Sequence, residues 1–252
     1  MNTTNKQTSS SEITALVTGG SRGIGLATAI ELSGNCDNVV ITYSSELPPS
    51  TVEIINATNI SAIRCDVRSS EEVDRLFDAI EDDFGYAGIV VANAGITRDT
   101  LLLRMNQSLW DEVLATNLTG VYNTLKRAIQ PMIKAHCGKI VLVSSVAGFI
   151  GSPGQVNYAA TKAGLMGMGR SLARELASRN INVNIVAPGI VDTEMSAALG
   201  QKKLDELLAN VPLRRAASPQ EIAKVISFMT SDAASYITGA VIPVDGGMAM
   251  GI

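Results

Sequence analysis

Seven short apolar runs alternate along this chain with longer, more polar stretches. Most residues in each run are apolar, which is typical of strands that are covered on both faces of a parallel sheet. The runs cover residues 13–18, 39–43, 60–65, 88–92, 139–144, 181–187 and 240–244. The alternation of strands with helical stretches predicts strand–helix–strand units.

Several helix starts between these runs carry recognisable signals. Ser69 is followed three positions later by Glu72, and Ser218 by Glu221, which is the spacing of a capping box. Pro219 comes directly after Ser218, and proline favours the first position of a helix. The predicted helices include residues 24–32, a helix that opens at the Ser69 cap and runs to residue 84, and residues 158–176.

These elements predict an α/β fold, namely a single doubly wound domain over residues 13–252 with a seven-stranded parallel sheet and helices on both faces. No linker, charge block or low-complexity segment divides the domain. Residues 1–12 are polar and are expected to form a flexible tail without a secretory signal. In such sheets ligands bind beyond the carboxyl ends of the strands, where candidate site residues are sought.

Composition excludes several classes of function. The 252 residues include 20 Lys and Arg against 24 Asp and Glu, so the net charge of −4 offers no footprint for nucleic acid. No apolar run reaches 18 residues, so no membrane span is expected. Three scattered cysteines without a CxxC pair predict neither a disulfide framework nor a zinc site, and favour a cytoplasmic location. The single histidine, His136, fits the end of a helix better than a catalytic role.

The first strand runs directly into a glycine-rich turn. Gly19, Gly23 and Gly25 have the spacing G-x-x-x-G-x-G between a strand and a helix. Glycine permits a tight turn and lets backbone N–H groups approach a pyrophosphate at a helix N-terminus. Three glycines also serve ordinary strand–helix turns, so their position after the first strand is what favours a dinucleotide site.

The ends of three more strands extend this interpretation. Asp66 follows the third strand and suits either adenine or a simple turn, while Asn93 opens an Asn-Ala-Gly segment after the fourth, where small residues let the backbone approach a ribose. A carboxylate at the end of the second strand typically binds the 2′-hydroxyl of NAD. Here that end carries Tyr43 and Ser44 instead, with Arg22 nearby in the glycine loop, and guanidinium suits a 2′-phosphate. The sequence therefore favours NADP(H).

A candidate general acid lies in the long helix predicted after the fifth strand. Tyr158 and Lys162 are four residues apart, hence on one face of that helix, and Ser145 follows the fifth strand. A tyrosine pKa lowered from ~10 toward ~7 requires about 4 kcal/mol, which one ammonium about 4 Å away supplies at an effective dielectric of ~20. This pairing predicts a proton donor that needs no histidine, although the spacing Y-x-x-x-K also arises by chance.

In combination these residues resemble the classical short-chain dehydrogenase/reductase family. The matching features are the run TGGSRGIG, the Asn93-Ala94-Gly95 segment, Asn117, Ser145, the pair Tyr158 and Lys162, and Pro188-Gly189. Residues 94–105, 157–164 and 235–250 look like 3-oxoacyl-(acyl carrier protein) reductases within that family. The resemblance implies a Rossmann fold, NADPH as cofactor and a homotetramer.

The resemblance also implies roles for individual residues. Tyr158 is expected to donate the proton, Ser145 to polarise the carbonyl, Lys162 to bind the nicotinamide ribose and lower the tyrosine pKa, and Asn117 to hold a water in a proton relay. Residues 193–210 are expected to form a substrate lid with a hinge at Gly200. The expected cofactor-binding residues are Gly19, Gly20, Ser21, Arg22, Gly23, Ile24, Gly25, Ser44, Asp66, Val67, Asn93, Ala94, Gly95, Tyr158, Lys162, Pro188, Gly189, Val191 and Thr193.

Two features concern partners. Ala160, Gly164, Gly167 and Ser171 form a stripe of small residues, which favours either packing between subunits or packing within one. Arg179 matches one of two arginines to which carrier-protein docking is attributed in the family, but the other position carries His136. These two residues could meet Lys134 and Lys139 across the mouth of the site, although a solvated charged face is the more common meaning of such residues.

The expected activity is NADPH-dependent reduction of a 3-oxoacyl thioester on an acyl carrier protein to the 3-hydroxyacyl thioester, in fatty acid biosynthesis. Two alternatives stay open. One is a short-chain reductase of another ketone, such as an acyl-CoA, polyketide, steroid or sugar. The other is a dinucleotide sensor without catalysis, which is disfavoured because the Ser145, Tyr158 and Lys162 set is complete.

Overall fold

All seven predicted strands are present in a computed structural model that describes residues 12–197 and 200–251. They form one parallel sheet in the order β3-β2-β1-β4-β5-β6-β7. The strands are β1 Thr14–Val17, β2 Asn38–Tyr43, β3 Ile60–Arg64, β4 Ala87–Ala92, β5 Gly138–Val143, β6 Ile181–Pro188 and β7 Val241–Val244. Each boundary lies within one residue of its predicted position, and the predicted fold class is confirmed.

Helices cover both faces of the sheet. They are α1 Gly23–Ser33, α2 Pro49–Asn56, α3 Ser70–Phe84, α4 Gln107–Leu114, α5 Gly120–Ala135, α6 Ala147–Ile150, α7 Val156–Leu176, α8 Glu194–Ala197, α9 Gln201–Leu208 and α10 Pro219–Thr230. A π-helical turn, Ala115–Thr119, joins α4 to α5. Within the described residues no helix combines the length and apolarity needed to cross a bilayer.

Side chains of each strand alternate between two hydrophobic layers. In β1, Leu16 faces the layer formed with α3, α5 and α7, whereas Val17 faces the layer formed with α1 and α10. Phe77 of α3 lies in the first layer and Ile222 of α10 in the second, and both are fully buried. This burial on two faces explains why the strands are apolar on nearly every residue.

The two predicted capping boxes differ in outcome. At α10 the box is complete, because Ser218 Oγ accepts from the Glu221 amide and the Glu221 carboxylate accepts from the Ser218 amide. At α3 only half of it forms. Ser69 Oγ accepts from the Glu72 amide, but the Glu72 carboxylate accepts from the Asp66 amide in the preceding turn at 2.9 Å.

The small-residue stripe of α7 lies mostly on the surface of the chain. Ala160, Gly167 and Ser171 are exposed, and a Cβ added at Gly167 would meet no atom within 4 Å. Gly164, by contrast, has a close neighbour within the chain, because a Cβ there would lie 3.3 Å from the side chain of Leu118. Packing within one subunit therefore accounts for one member of the stripe, and the expected tetramer stays a prediction.

The predicted meeting of basic residues across the site mouth is wrong for a single chain. Lys139 lies at the amino end of β5, where its Nζ donates to Asn182 Oδ1 at 2.7 Å, and Arg179 lies in the turn before β6. His136 ends α5 in a left-handed conformation, with φ 51°. The physical reason is the direction of the chain: α7 begins at the carboxyl edge and its 21 residues span about 30 Å to the opposite edge.

Candidate active site

The candidate site lies where the strand order reverses, between β1 and β4. The loop after β1 is fastened to the end of β4 by Thr18, whose Oγ1 accepts from the Asn93 and Ala94 amides at 3.0 and 3.1 Å. Asn93 completes this junction, because its Nδ2 donates to the carbonyls of Thr18 and Gly19 at 3.0 Å each. The Asn93 side chain therefore holds the glycine loop, and no sequence pattern predicted that Thr18 joins the loop to β4.

The glycines allow the loop to fold tightly against β4. Gly19 has φ 63°, a conformation that favours glycine, and a Cβ there would lie 2.9 Å from Ala94 Cα. A Cβ at Gly25 would lie 2.6 Å from Asn93 Nδ2. These glycines are thus required by the path of the loop itself, in agreement with the tight turn that their spacing predicts.

The N-terminus of α1 lies open at this edge of the sheet. Arg22 is its N-cap residue and makes no side-chain cap, and the first turn carries no acidic residue. The N-termini of α3, α4 and α10, by contrast, are each capped by a side chain. Unpaired N–H groups and the positive end of the helix dipole suit an anion, so the loop fits the pyrophosphate of a dinucleotide.

Of the residues expected to bind the adenosine half of the cofactor, Ser44 is exposed, whereas Asp66 is already paired with a neighbouring arginine. Ser44 is exposed at the carboxyl end of β2. Asp66 is paired with Arg68, whose Nη2 lies 2.6 Å from its Oδ2 and whose amide donates to its Oδ1 at 3.0 Å. This hydrogen bonding holds the pKa of the Asp66 carboxyl below its ordinary value. The turn role that the sequence left open for Asp66 is therefore present, and its contact with adenine stays a prediction, as does that of the buried Val67.

Ser145, Tyr158 and Lys162 come together at the carboxyl end of β5. Ser145 is buried, its Oγ accepts from the Ala147 amide at 3.2 Å, and its hydroxyl lies near enough to Tyr158 to lower the pKa of that phenol in part. Ser144, which sequence analysis did not single out, joins β5 to α7 because its Oγ donates to the Lys162 carbonyl at 2.7 Å. The predicted trio thus comes together at the carboxyl edge of the sheet, where ligands of such sheets bind.

Lys162 is buried between α7 and β5. Its Nζ donates to the Val143 carbonyl at 2.8 Å and lies 5.5 Å from the centre of the Tyr158 ring. Burial lowers the pKa of Lys162 to about 8. Gly95 lies beside the ammonium, since a Cβ there would be in van der Waals contact with Nζ at 3.5 Å.

The predicted lowering of the tyrosine pKa is wrong for this environment. Burial raises the pKa of the Tyr158 hydroxyl, a hydrogen bond from Ser145 lowers it in part, and the negative charge of Asp99 raises it. The expected lowering requires an ammonium about 4 Å from the hydroxyl, whereas Lys162 Nζ donates to the Val143 carbonyl. Tyr158 therefore keeps its proton at neutral pH, which is the form that a proton donor requires.

Asn117 lies in the π-helical turn and is fully buried. Its Oδ1 accepts from the Ile96 amide at 2.8 Å, and its Nδ2 donates to the Ile96 carbonyl at 3.0 Å and to Thr161 Oγ1 at 3.3 Å. The side chain thus fixes the segment after β4 against α7. The expected water relay at Asn117 stays a prediction. Because the side-chain atoms already have hydrogen-bond partners, a water would bind more readily to the backbone of Asn117.

Asn157 is a site residue that sequence reasoning missed. Its Oδ1 accepts from the Tyr158 amide at 2.8 Å, and its Nδ2 donates to the carbonyls of Arg98 and Leu109 at 3.3 and 3.2 Å. The side chain is fully buried and positions the first turn of α7. The only available signal was an amide side chain directly before the tyrosine.

The segment expected at the nicotinamide end follows β6. Gly189 packs against Asp245, since a Cβ would lie 2.7 Å from Asp245 Cα. Val191 pairs with Ala217 in a parallel bridge whose bonds use the amides of Asp192 and Ala217. Among the described residues the Val191 amide has no partner, so it suits a carboxamide. The segment expected to form the lid, residues 193–210, contains α8 and α9, and residues 198–199 within it lie outside the described residues. Of the predicted N-terminal tail, residues 1–11 also lie outside the described residues.

The parallel sheet, the open helix N-terminus after β1 and the cluster of Ser145, Tyr158 and Lys162 define an oxidoreductase that uses a nicotinamide dinucleotide. A protein-family model described as enoyl-(acyl carrier protein) reductase matches residues 19–249. The chain belongs to the short-chain dehydrogenase/reductase family.

Named relatives cover nearly the whole chain. This chain is 45% identical over 240 residues to the 3-oxoacyl-(acyl-carrier-protein) reductase FabG of Staphylococcus aureus (strain Mu50). The matched region covers 94% of this chain and 98% of the relative. It is 43% identical over 236 residues to the 3-oxoacyl-(acyl-carrier-protein) reductase MabA of Mycobacterium bovis, at 94% and 92% coverage. The FabG of Staphylococcus epidermidis is 42% identical over 240 residues, at 94% and 98%.

Proposed function

We propose that this protein reduces the C3 ketone of a 3-oxoacyl thioester, carried on an acyl carrier protein, with NADPH as the hydride donor, in fatty acid biosynthesis. The observation that carries the proposal is the complete Ser145, Tyr158 and Lys162 cluster in a chain 42–45% identical, over 94% of its length, to proteins named for that reaction.

When bound, the reduced nicotinamide supplies a hydride to C3 of the substrate. Ser145 Oγ donates a hydrogen bond to the ketone oxygen and orients it. Tyr158 Oη donates its proton to that oxygen as negative charge develops, so the ketone becomes a hydroxyl and the tyrosine a phenolate. The raised pKa of Tyr158 keeps the hydroxyl protonated at neutral pH, so the proton that reduction consumes is present before the reaction starts.

Lys162 stabilises the phenolate that the proton transfer leaves behind. Its ammonium lies 5.5 Å from the Tyr158 ring and bears a positive charge below its pKa of about 8. In the proposed complex the same ammonium binds the nicotinamide ribose in the space beside Gly95. The proton that Tyr158 loses is restored through Lys162 and a water at Asn117.

The preference for NADPH rests on the end of β2 and on the glycine loop. Arg22 and Ser44 are the groups proposed to bind the 2′-phosphate, and Tyr43 ends the strand where NAD-binding proteins place an acid. Asp66, Val67 and the Asn93 backbone are proposed to line the adenosine half, and Val191 the carboxamide.

Assembly and location belong to the proposal as well. The exposed small residues of α7 support a homotetramer built on that helix. The names of the relatives support an acyl carrier protein as the partner that delivers the substrate. Three free cysteines, two of them buried, agree with a cytoplasmic enzyme.

Steady-state turnover tests the activity. The purified chain is assayed with a 3-oxoacyl thioester and NADPH, then with NADH, and then with free ketones. A 2-enoyl thioester is included because of the description that the family model bears. We expect the 3-oxoacyl thioester with NADPH to give the highest kcat/KM. A higher kcat/KM with a free ketone or an enoyl thioester contradicts the substrate, a higher value with NADH contradicts the cofactor, and no turnover of any substrate favours a dinucleotide sensor.

A further inference from the structure

Glu194 is bound to the arginine to which the proposed function assigns the 2′-phosphate. Arg22 Nη1 donates to Glu194 Oε2 at 2.8 Å, although the two residues are 172 positions apart in the sequence. Both side chains are largely exposed, at 52% and 71% of their surface. The ion pair is therefore accessible to a ligand that approaches the glycine loop.

We propose that Glu194 competes with the 2′-phosphate for Arg22 and thereby sets how strongly the protein prefers NADPH over NADH. The inference rests on the proposed NADPH-dependent function, since it takes Arg22 as a phosphate ligand. It assigns a cofactor-specificity role to an acidic residue at the start of the lid, far in sequence from the dinucleotide loop.

The position of Arg22 places it between two sets of partners. On one side the glycine loop is bound to β2, because the Gly20 amide donates to the Thr42 carbonyl at 2.9 Å, two residues before Ser44. On the other side the loop lies against the lid start, since a Cβ at Gly23 would lie 3.4 Å from Thr193 Cγ2. Arg22 lies between these two contacts, so its long side chain is positioned to serve either set.

The charges decide the sign of the effect. A guanidinium binds phosphate best through two N–H groups presented as a fork, and Glu194 occupies one end of that fork. A carboxylate beside a phosphate also repels it, because like charges a few ångströms apart disfavour each other. Both effects weaken NADPH binding, and neither acts on NADH, which has no 2′-phosphate.

The test measures the dissociation constants of NADPH and NADH for the wild-type chain and the Glu194→Gln variant, by isothermal titration calorimetry at low ionic strength. Glu206→Gln is the matched control, because it removes the same charge from an exposed position of α9 that makes no ion pair within the described residues. We expect Glu194→Gln to tighten NADPH about two- to fivefold, the range that an exposed ion pair supports, and to leave NADH unchanged.

An Arg22→Ala background shows whether Glu194 acts through the arginine. There we expect the Glu194→Gln effect on NADPH to fall to less than half of its wild-type size. Weaker NADPH binding in Glu194→Gln would mean that Glu194 orients Arg22 for the phosphate and would overturn the proposal. Equal changes for both cofactors, no change, the same gain in Glu206→Gln, or an undiminished effect without Arg22 would also overturn it.

The wild-type and Arg22→Ala chains separate this inference from the proposed function. If the wild type prefers NADPH and Arg22→Ala removes that preference, the cofactor assignment stands whatever Glu194→Gln does, and only the role of Glu194 is in question. If wild type and Arg22→Ala both bind the two cofactors equally, the assignment of NADPH and of Arg22 fails first, and the competition with it.

Discussion

At the scale of single residues, the site depends on groups whose burial has moved their pKa values. Desolvation lowers the pKa of the Lys162 ammonium to about 8 and raises that of the Tyr158 hydroxyl. The two groups therefore stay in the forms that reduction requires, a neutral phenol and a cation, across the neutral range. As the pH rises above 8, Lys162 is the first of the two groups to lose its proton.

This order of titration predicts the pH dependence of the reaction. Lys162 is charged below its pKa of about 8 and neutral above it, so kcat/KM for reduction should be level near pH 7 and fall toward tenfold per pH unit above 8. The profile of kcat/KM is the measurement, because it reports groups of the free enzyme.

A lysine variant provides the control for this profile. Lys162→Arg has a cation that does not titrate in this range, so its profile should lack the break near pH 8 at whatever absolute rate it retains. A wild-type profile that stays level to pH 10, or the same break in Lys162→Arg, would assign the titration to another group.

At the scale of elements, local signals determined where helices and strands begin and long-range contacts determined the site. The Ser218 cap and the strand bounds depend on neighbouring residues, so the sequence predicted them. The bond from Asn117 to Ile96 and the pair of Arg22 with Glu194 join distant segments, and no local pattern reports them. The direction of the Tyr158 pKa shift was missed for the same reason, because desolvation depends on how α7 packs.

The capping box of α10 carries a stability prediction. Ser218→Ala removes the acceptor for the Glu221 amide and should lower the free energy of unfolding by about 1 kcal/mol. In a domain of this size that corresponds to a fall in Tm of about 2–4 °C, measured by circular dichroism. Ser178→Ala, at an exposed position in the turn before β6, is the matched control and should leave Tm unchanged. Equal Tm values for the two variants would show that the box adds nothing to stability.

At the scale of the whole molecule, parallel strand direction separates two edges of the sheet. The carboxyl edge holds the glycine loop and the Tyr158 cluster, and the amino edge holds Lys139 and Arg179. This separation follows from the predicted parallel sheet, because every strand of such a sheet ends at the same edge. Arg179 and Lys139 precede β6 and β5, so they lie at the edge opposite the site. Direction along each element, rather than distance in sequence, decides which residues meet.

The exposed stripe on α7 predicts the assembly. Light scattering should give about four times the 26.4 kDa chain mass at micromolar concentration. Gly167→Glu adds a charge where a Cβ would meet nothing in the chain, so it should reduce the mass while the chain stays folded. Gly34→Glu, at an exposed helix end, is the control and should leave the mass unchanged. A wild-type monomer, or a tetramer that survives Gly167→Glu, would contradict an interface on this helix.

The central claim is that Tyr158 is the proton donor of a ketone reductase. Removing the Tyr158 hydroxyl tests that claim most directly. The measurement is kcat of Tyr158→Phe with a 3-oxoacyl thioester and NADPH, alongside calorimetric binding of NADPH. A general acid is worth about 100-fold or more in rate, so kcat should fall at least that far while the NADPH dissociation constant stays within about twofold. A variant that keeps more than about a tenth of the wild-type kcat, a loss of under about 1.4 kcal/mol, would contradict that role.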